Sequence, residues 1–159
     1  MSDAVDVDQL LTYRPTGPAP TFVARIISHP RSFHNEAAHQ GRCAVCGRTD
    51  DYWHAHHVVY QKHLRRLHVV EYDTRGALRL CIRDPTGEHA GDCHHAHHQG
   101  QRRVTGAELT DDNLAHLVWA HGDDRARAAA YLQTYYDAPD ADQLLALRVP
   151  AAGVDGLAA

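Results

Sequence analysis

The chain has 159 residues, 43% of them hydrophobic and 23% charged, ordinary globular proportions that exclude wholesale disorder, a collagen-like repeat and a long coiled coil. This length suits one domain with an appended helical piece and leaves no room for two independent enzymes. The net charge is −4 at pH 7, and no stretch reaches the roughly 18 to 20 apolar residues that cross a bilayer, so no membrane partner is expected.

The first eight residues are acidic and lack the basic-then-apolar order of a secretory signal, so the expected compartment is the cytoplasm. Residues 1–20 contain Pro15, Gly17, Pro18 and Pro20 and read as a flexible leader. In residues 21–104, twelve Arg and Lys stand against eight Asp and Glu, a net +4, whereas residues 105–159 carry −6. A polyanion therefore belongs to the middle of the chain, where Lys62, Arg65 and Arg66 form the sharpest cluster; a solvated helix face is the plain alternative.

From Thr21, the apolar pairs Phe22/Val23 and Ile26/Ile27 fit one face of a short helix that stops before Pro30. Ser32 is placed to cap a second short helix running to His39, ended by Gly41. Residues 42–104 are irregular and rich in Cys and His, with β-prone runs at 52–60 and 77–81. After Gly106 the pattern turns helical. Thr110 caps a helix with Asp111 and Asp112 in its first turn and Leu114, Leu117, Val118 and His121 on one face, closed by Gly122. Asp123 and Asp124 open the next, where Ala128, Tyr131, Leu132 and Tyr135 follow helical spacing. Residues 144–147 add a last turn before Pro150, and residues 149–159 read as a flexible tail.

Two features depart from average: 15 histidines, and four cysteines without an export signal. Cys43-Ala-Val-Cys46-Gly47 has the shape of a knuckle, two thiolates converging on an ion above a glycine turn. Cys81 and Cys93, with eleven residues between them, complete the set. In a reducing compartment four cysteines favour structural Zn²⁺ over disulfides, with free buried Cys81 and Cys93 as the alternative. Four thiolates leave no open coordination position, so chemistry must come from elsewhere.

Seven histidines supply the candidate: His54, His56 and His57, then His94, His95, His97 and His98. On a strand His54 and His56 share a face and His57 points oppositely or into a following turn. On a helix starting near Asp92, His94 and His98 stack at i and i+4, with His95 and His97 facing away. A metal-buffering or solvated His tract is the alternative, and His54 and His63 read as structural or exposed.

The ordered set Cys43-Ala-Val-Cys46, Ala55-His56-His57-Val58-Val59, Leu78-Arg79-Leu80-Cys81 and Cys93-His94-His95-Ala96-His97-His98 resembles the HNH endonucleases, small bacterial and phage members with a four-cysteine zinc. The resemblance implies an α+β fold: a ββα-metal, treble-clef-like core over residues 21–104 with structural zinc, flanked by short N-terminal helices and by a C-terminal helical extension at 105–148. It also implies metal-dependent hydrolysis of DNA phosphodiesters, leaving 5′-phosphate and 3′-hydroxyl ends, in the host cytoplasm if phage-encoded. His56, His94 and His98 would bind one divalent ion (Mg²⁺, Mn²⁺, Ni²⁺ or Zn²⁺), and His57 would be the general base. Cys43, Cys46, Cys81 and Cys93 would hold Zn²⁺. Lys62, Arg65, Arg66, Arg102 and Arg103 are candidates for contacts to the backbone of double-stranded DNA. The chain departs from the family at Gly76, where an asparagine normally orients the loop that bears the base; Asp73 or Arg75 are candidates to replace its hydrogen bond. A catalytically inactive zinc module that binds DNA or protein is the alternative, and a metal-storage protein a third reading.

Overall fold

The computed structural model describes residues 29–88 and 91–150. The leader, the helix expected over residues 21–27 and most of the tail lie outside the described residues. The fold is mixed α+β, with a two-stranded antiparallel sheet and six α-helices among the described residues.

Helix α1 (Pro30–His39) begins two residues before the expected cap at Ser32. Pro30 occupies the first turn, where its missing N–H costs nothing, and the His29 side chain accepts from the Arg31 amide instead. Phe33 and Ala37, four apart, form its buried face against Ala77, with Trp53, Ala55 and Tyr72 packed around them. The Gln40 carboxamide donates to the Ala77 carbonyl and accepts from the Arg79 amide, satisfying two backbone groups on the free edge of the sheet.

Strand β1 (Trp53–His57) pairs with β2 (Ala77–Cys81) in a register that sets His54 opposite Leu80, His56 opposite Leu78 and His57 opposite Ala77. Period-2 alternation sends His56 into the interior while Phe33 of α1 stacks on His57 at 4.2 Å between ring centres. The β-prone run at 52–60 is shorter than expected because the chain turns after His57 into α2 (Gln61–Leu67). Leu64 and Leu67 bury one side of α2, and His68 ends it in the left-handed region at φ 58°. Sequence reading left this segment irregular.

A 3₁₀ turn (Thr74–Gly76) leads into β2, and α3 (Cys93–His98) starts at Asp92, whose carboxylate accepts from the His95 amide. The helices α4 (Asp111–Ala120), α5 (Arg125–Tyr135) and α6 (Ala141–Arg148) follow. Thr110 caps α4 as expected, in a reciprocal box with Asn113, and α6 is twice as long as the turn expected there. One apolar cluster runs from Val58, Leu78 and Leu80 through Leu64 to Leu114, Leu117, Tyr131 and Leu132, so the helical extension and the Cys/His segment share a core. Among the described residues no helix is long and apolar enough to cross a membrane.

Candidate metal centres and catalytic site

The sulfur site is built from three elements. Cys43 and Cys46 lie on a turn before β1, Cys81 ends β2 and Cys93 opens α3. The Gly47 amide donates to the Cys43 carbonyl and its φ of 78° lets the chain reverse. The Ala44 amide donates to the Arg79 carbonyl at 2.9 Å, fastening the turn to β2. Arg48 then ties the turn to the loop after β2, donating to the carbonyls of Ile82 and Gly91 while paired with Asp50. All four sulfurs lie within 4.8 Å of one another. Cys46 and Cys81 are 3.6 Å apart, near the about 3.8 Å expected of two thiolates on one tetrahedral Zn²⁺ and far beyond the about 2.05 Å of a disulfide. The four cysteines fit a structural zinc.

The imidazole site sits on β1 and α3. The ligand nitrogens of His56, His94 and His98 all fall within 4.8 Å of one another. Nε2 of His94 and Nε2 of His98 are 3.1 Å apart, close to the about 3.3 Å separating two imidazole ligands of one ion. The tautomer of His56 follows from its partner. The Tyr136 hydroxyl donates to the Val58 carbonyl, which can only accept, so His56 Nε2 must donate to Tyr136 at 2.9 Å and its Nδ1 carries the lone pair. Burial, and then the neighbouring imidazoles of His97, His94 and His98, push His56 well below the usual histidine range. Burial, reinforced by His98 and His54, lowers His94 to about 4, and burial with Lys62 lowers His98. All three rings are neutral at pH 7, the form that binds a cation.

His97 corrects the expectation that it faces away. It is buried with its ring 5.0 Å from that of His56. Its Nδ1 accepts from the Val104 amide, so Nε2 donates to the Tyr60 hydroxyl at 2.8 Å. With both nitrogens committed, it supports the site without ligating. His63 is structural, buried against the Tyr131 hydroxyl at 2.6 Å, and His54 is exposed.

His57 lies at the end of β1 between Phe33 and Tyr72. Its Nε2 is buried with no hydrogen-bond partner. Burial first, then His116, lowers its pKa to about 4, against an upward pull from the Glu71 carbonyl.

The loop opposite His57 is braced from α4, a feature sequence reasoning missed. Asn113, buried, donates to the carbonyls of Arg75 (2.8 Å) and Ala77 (3.0 Å), on either side of Gly76. The Gly76 carbonyl accepts from the Val58 amide next to His57. His116 Nδ1 donates to Asp73, and Arg75 pairs with the same carboxylate at 2.6 Å; although burial opposes them, these bonds hold Asp73 below the usual carboxylate range. A Cβ at Gly76 would meet the His116 ring at 2.8 Å. Asp73 bonds both Arg75 and His116, and the carboxamide on this loop comes from Asn113. The one sequence signal that could have pointed to Asn113 is its place three residues after the Thr110 cap, where a capping box puts a polar side chain.

Both His57 and the three-imidazole group line a cleft of about 920 Å³. Lys62 and Arg65, three apart on α2, face it together with Arg103. Arg66 and Arg102 do not line it: Arg66 is turned away on the helix, and Arg102 lies 3.6 Å from Glu108. Arg65 is itself paired with Glu71, and Arg103 donates to the Thr134 carbonyl. Comparison with family models, curated proteins and solved structures returns no match.

Proposed function

We propose that this chain is a metal-dependent endonuclease of the HNH type that hydrolyses phosphodiester bonds in double-stranded DNA. The observation that carries the reading is the convergence of His56, His94 and His98, from a strand and a helix, in one cleft with His57 and with Lys62, Arg65 and Arg103. The succession β1, β2, α3 with a four-cysteine group beside it supports a ββα-metal core.

A divalent ion on the three imidazoles would polarise the scissile phosphate and stabilise the departing 3′ oxygen. The protein's own part is positional. Tyr136 holds the His56 tautomer, Tyr60 and Val104 hold His97 behind it, and the α4 brace holds the strand end that bears His57. His57 stays unprotonated above about pH 4 and is free to take a proton from water. His57 lines the cleft, which brings the imidazole to the water it would deprotonate. Lys62 and Arg103 supply cationic contacts that fix the sugar-phosphate backbone without reading bases. No carboxylate joins the three imidazoles among the described residues, and imidazole favours Zn²⁺, Ni²⁺ or Co²⁺ over Mg²⁺.

The rival reading, a zinc module that binds DNA or protein without cutting, draws on the burial of His57 beneath Phe33. Supercoiled plasmid incubated at low salt with each of Mg²⁺, Mn²⁺, Ni²⁺ and Zn²⁺ separates the two. The endonuclease nicks or linearises it, best with a transition ion, and His57→Ala stops cutting while zinc stays bound. Absence of cleavage with every ion decides for the binding module.

A further inference from the structure

We propose that His54 belongs to the imidazole metal centre as the outer hydrogen-bond acceptor that fixes the tautomer and orientation of His94. The inference rests on reading His56, His94 and His98 as an ion site and adds a residue that the ligand set does not contain. Its basis is the arrangement around His94. One ring nitrogen, Nε2, faces His98 Nε2 at 3.1 Å; the other, Nδ1, faces Nδ1 of His54, also at 3.1 Å, with the two rings nearly perpendicular at 85°. A neutral imidazole has one donor and one acceptor nitrogen. When Nε2 of His94 ligates, its proton must reside on Nδ1, and His54 is the group within reach to accept it. The lone pair of His54 then lies on Nδ1 and its own proton on Nε2.

The backbone places His54 for this task. It sits two residues before His56 on β1, so the pleat brings both side chains to the face that meets α3, and its pairing with Leu80 fixes the height of its Cβ along that face. His54 is not one of the residues whose nitrogens converge within 4.8 Å, so its place is behind a ligand. His56 has an equivalent support in Tyr136, which takes its Nε2 proton. Two of the three ligands therefore have an acceptor for the proton on their non-ligating nitrogen, one buried and one at the mouth of the cleft. Such outer acceptors raise the basicity of the ligating nitrogen and lock the ring, and their loss typically weakens metal affinity about 10- to 100-fold.

The test is a Ni²⁺ titration of the zinc-loaded full chain by chelator competition, on wild type, His54→Ala, His54→Gln and His56→Ala. His54 is exposed, so its replacement leaves the core intact; zinc content and circular dichroism verify this for each variant. The expected result is one Ni²⁺ beyond the zinc in wild type and affinity about 10- to 100-fold lower in His54→Ala. His54→Gln, whose amide oxygen can accept, should regain part of the loss. Nitrogen-15 spectra of wild type should show the His94 proton on Nδ1. Equal affinity of wild type and His54→Ala, within twofold, would overturn the role of His54 while leaving the ion site standing. Loss in His54→Ala as complete as in His56→Ala would make His54 a ligand and overturn its role as acceptor. Failure of wild type itself to bind a second ion would remove the site and the inference with it.

Discussion

Gly76 shows most clearly how one position can mislead when read alone. The space that a side chain there would fill is taken by the His116 ring, and the carboxamide expected at that point comes instead from Asn113, 37 residues later. Placing at this position the asparagine that the resemblance implies should therefore harm the protein: Gly76→Ala should cost about 1 to 3 kcal/mol by overpacking, and Gly76→Asn more, with no gain in cleavage, as measured by urea unfolding and plasmid assay. Asn113→Ala leaves the Arg75 carbonyl and the Thr110 amide without their partner and removes one of the two donors on the Ala77 carbonyl, so a loss of about 2 to 4 kcal/mol is expected in the same unfolding assay. The lowered His57 makes a kinetic prediction as well. In the proposed mechanism His57 is the base and must be unprotonated to act; burial brings its pKa to about 4, so the acid limb of the cleavage rate should fall near pH 4 to 5, and a limb near pH 6.5 would mean an imidazole in water. None of this was legible from residue types, because it depends on which helix packs behind the loop.

Elements were more legible where a local rule decided them. Strand β2 occupies the expected residues, and α4 begins at the expected Thr110 cap, because a capping hydroxyl and a β-branched or apolar run act through neighbours in sequence. Thr110→Ala should destabilise α4 by about 1 kcal/mol, read as a fall in the thermal midpoint. The i, i+2 spacing on β1 set His54 and His56 on one face and the i, i+4 spacing on α3 set His94 and His98 on one side; that the two groups meet was implied only by the family resemblance. What sequence spacing missed was helix α2, and it misplaced the start of α1. Helix α2 has no side-chain cap and ends on a left-handed His68, so Leu64 and Leu67 hold it through the core; α1 starts at a proline rather than at the serine that capping statistics favour. His97 was misjudged for a similar reason, since in a six-residue helix the residue facing the core is chosen by the Val104 and Tyr60 partners.

At the scale of the molecule, the Cys/His segment and the helical extension form one cooperative body. Cys43 and Cys81 belong to the same apolar cluster as Leu114, Tyr131 and Leu132, so stripping the zinc with a strong chelator should lower the unfolding of the whole described chain as a single transition instead of leaving the three C-terminal helices intact. Acid should act in the same direction. Burial lowers His63, His97 and His121 to about 4, whereas in the unfolded chain they titrate near 6.5. Between those values the unfolded state binds more protons, so stability rises with pH across about 4 to 6.5 and is lost on acidification through that window, which urea midpoints at a series of pH values would record. The proposed function requires two distinct metal centres, one closed by sulfur and one open on nitrogen. Native mass spectrometry of the purified chain and of His94→Ala after exposure to Ni²⁺ addresses it most directly. Two ions on the wild type, with only the nickel lost in the variant, are predicted; one ion on both proteins, or loss of the zinc along with the nickel, would contradict it.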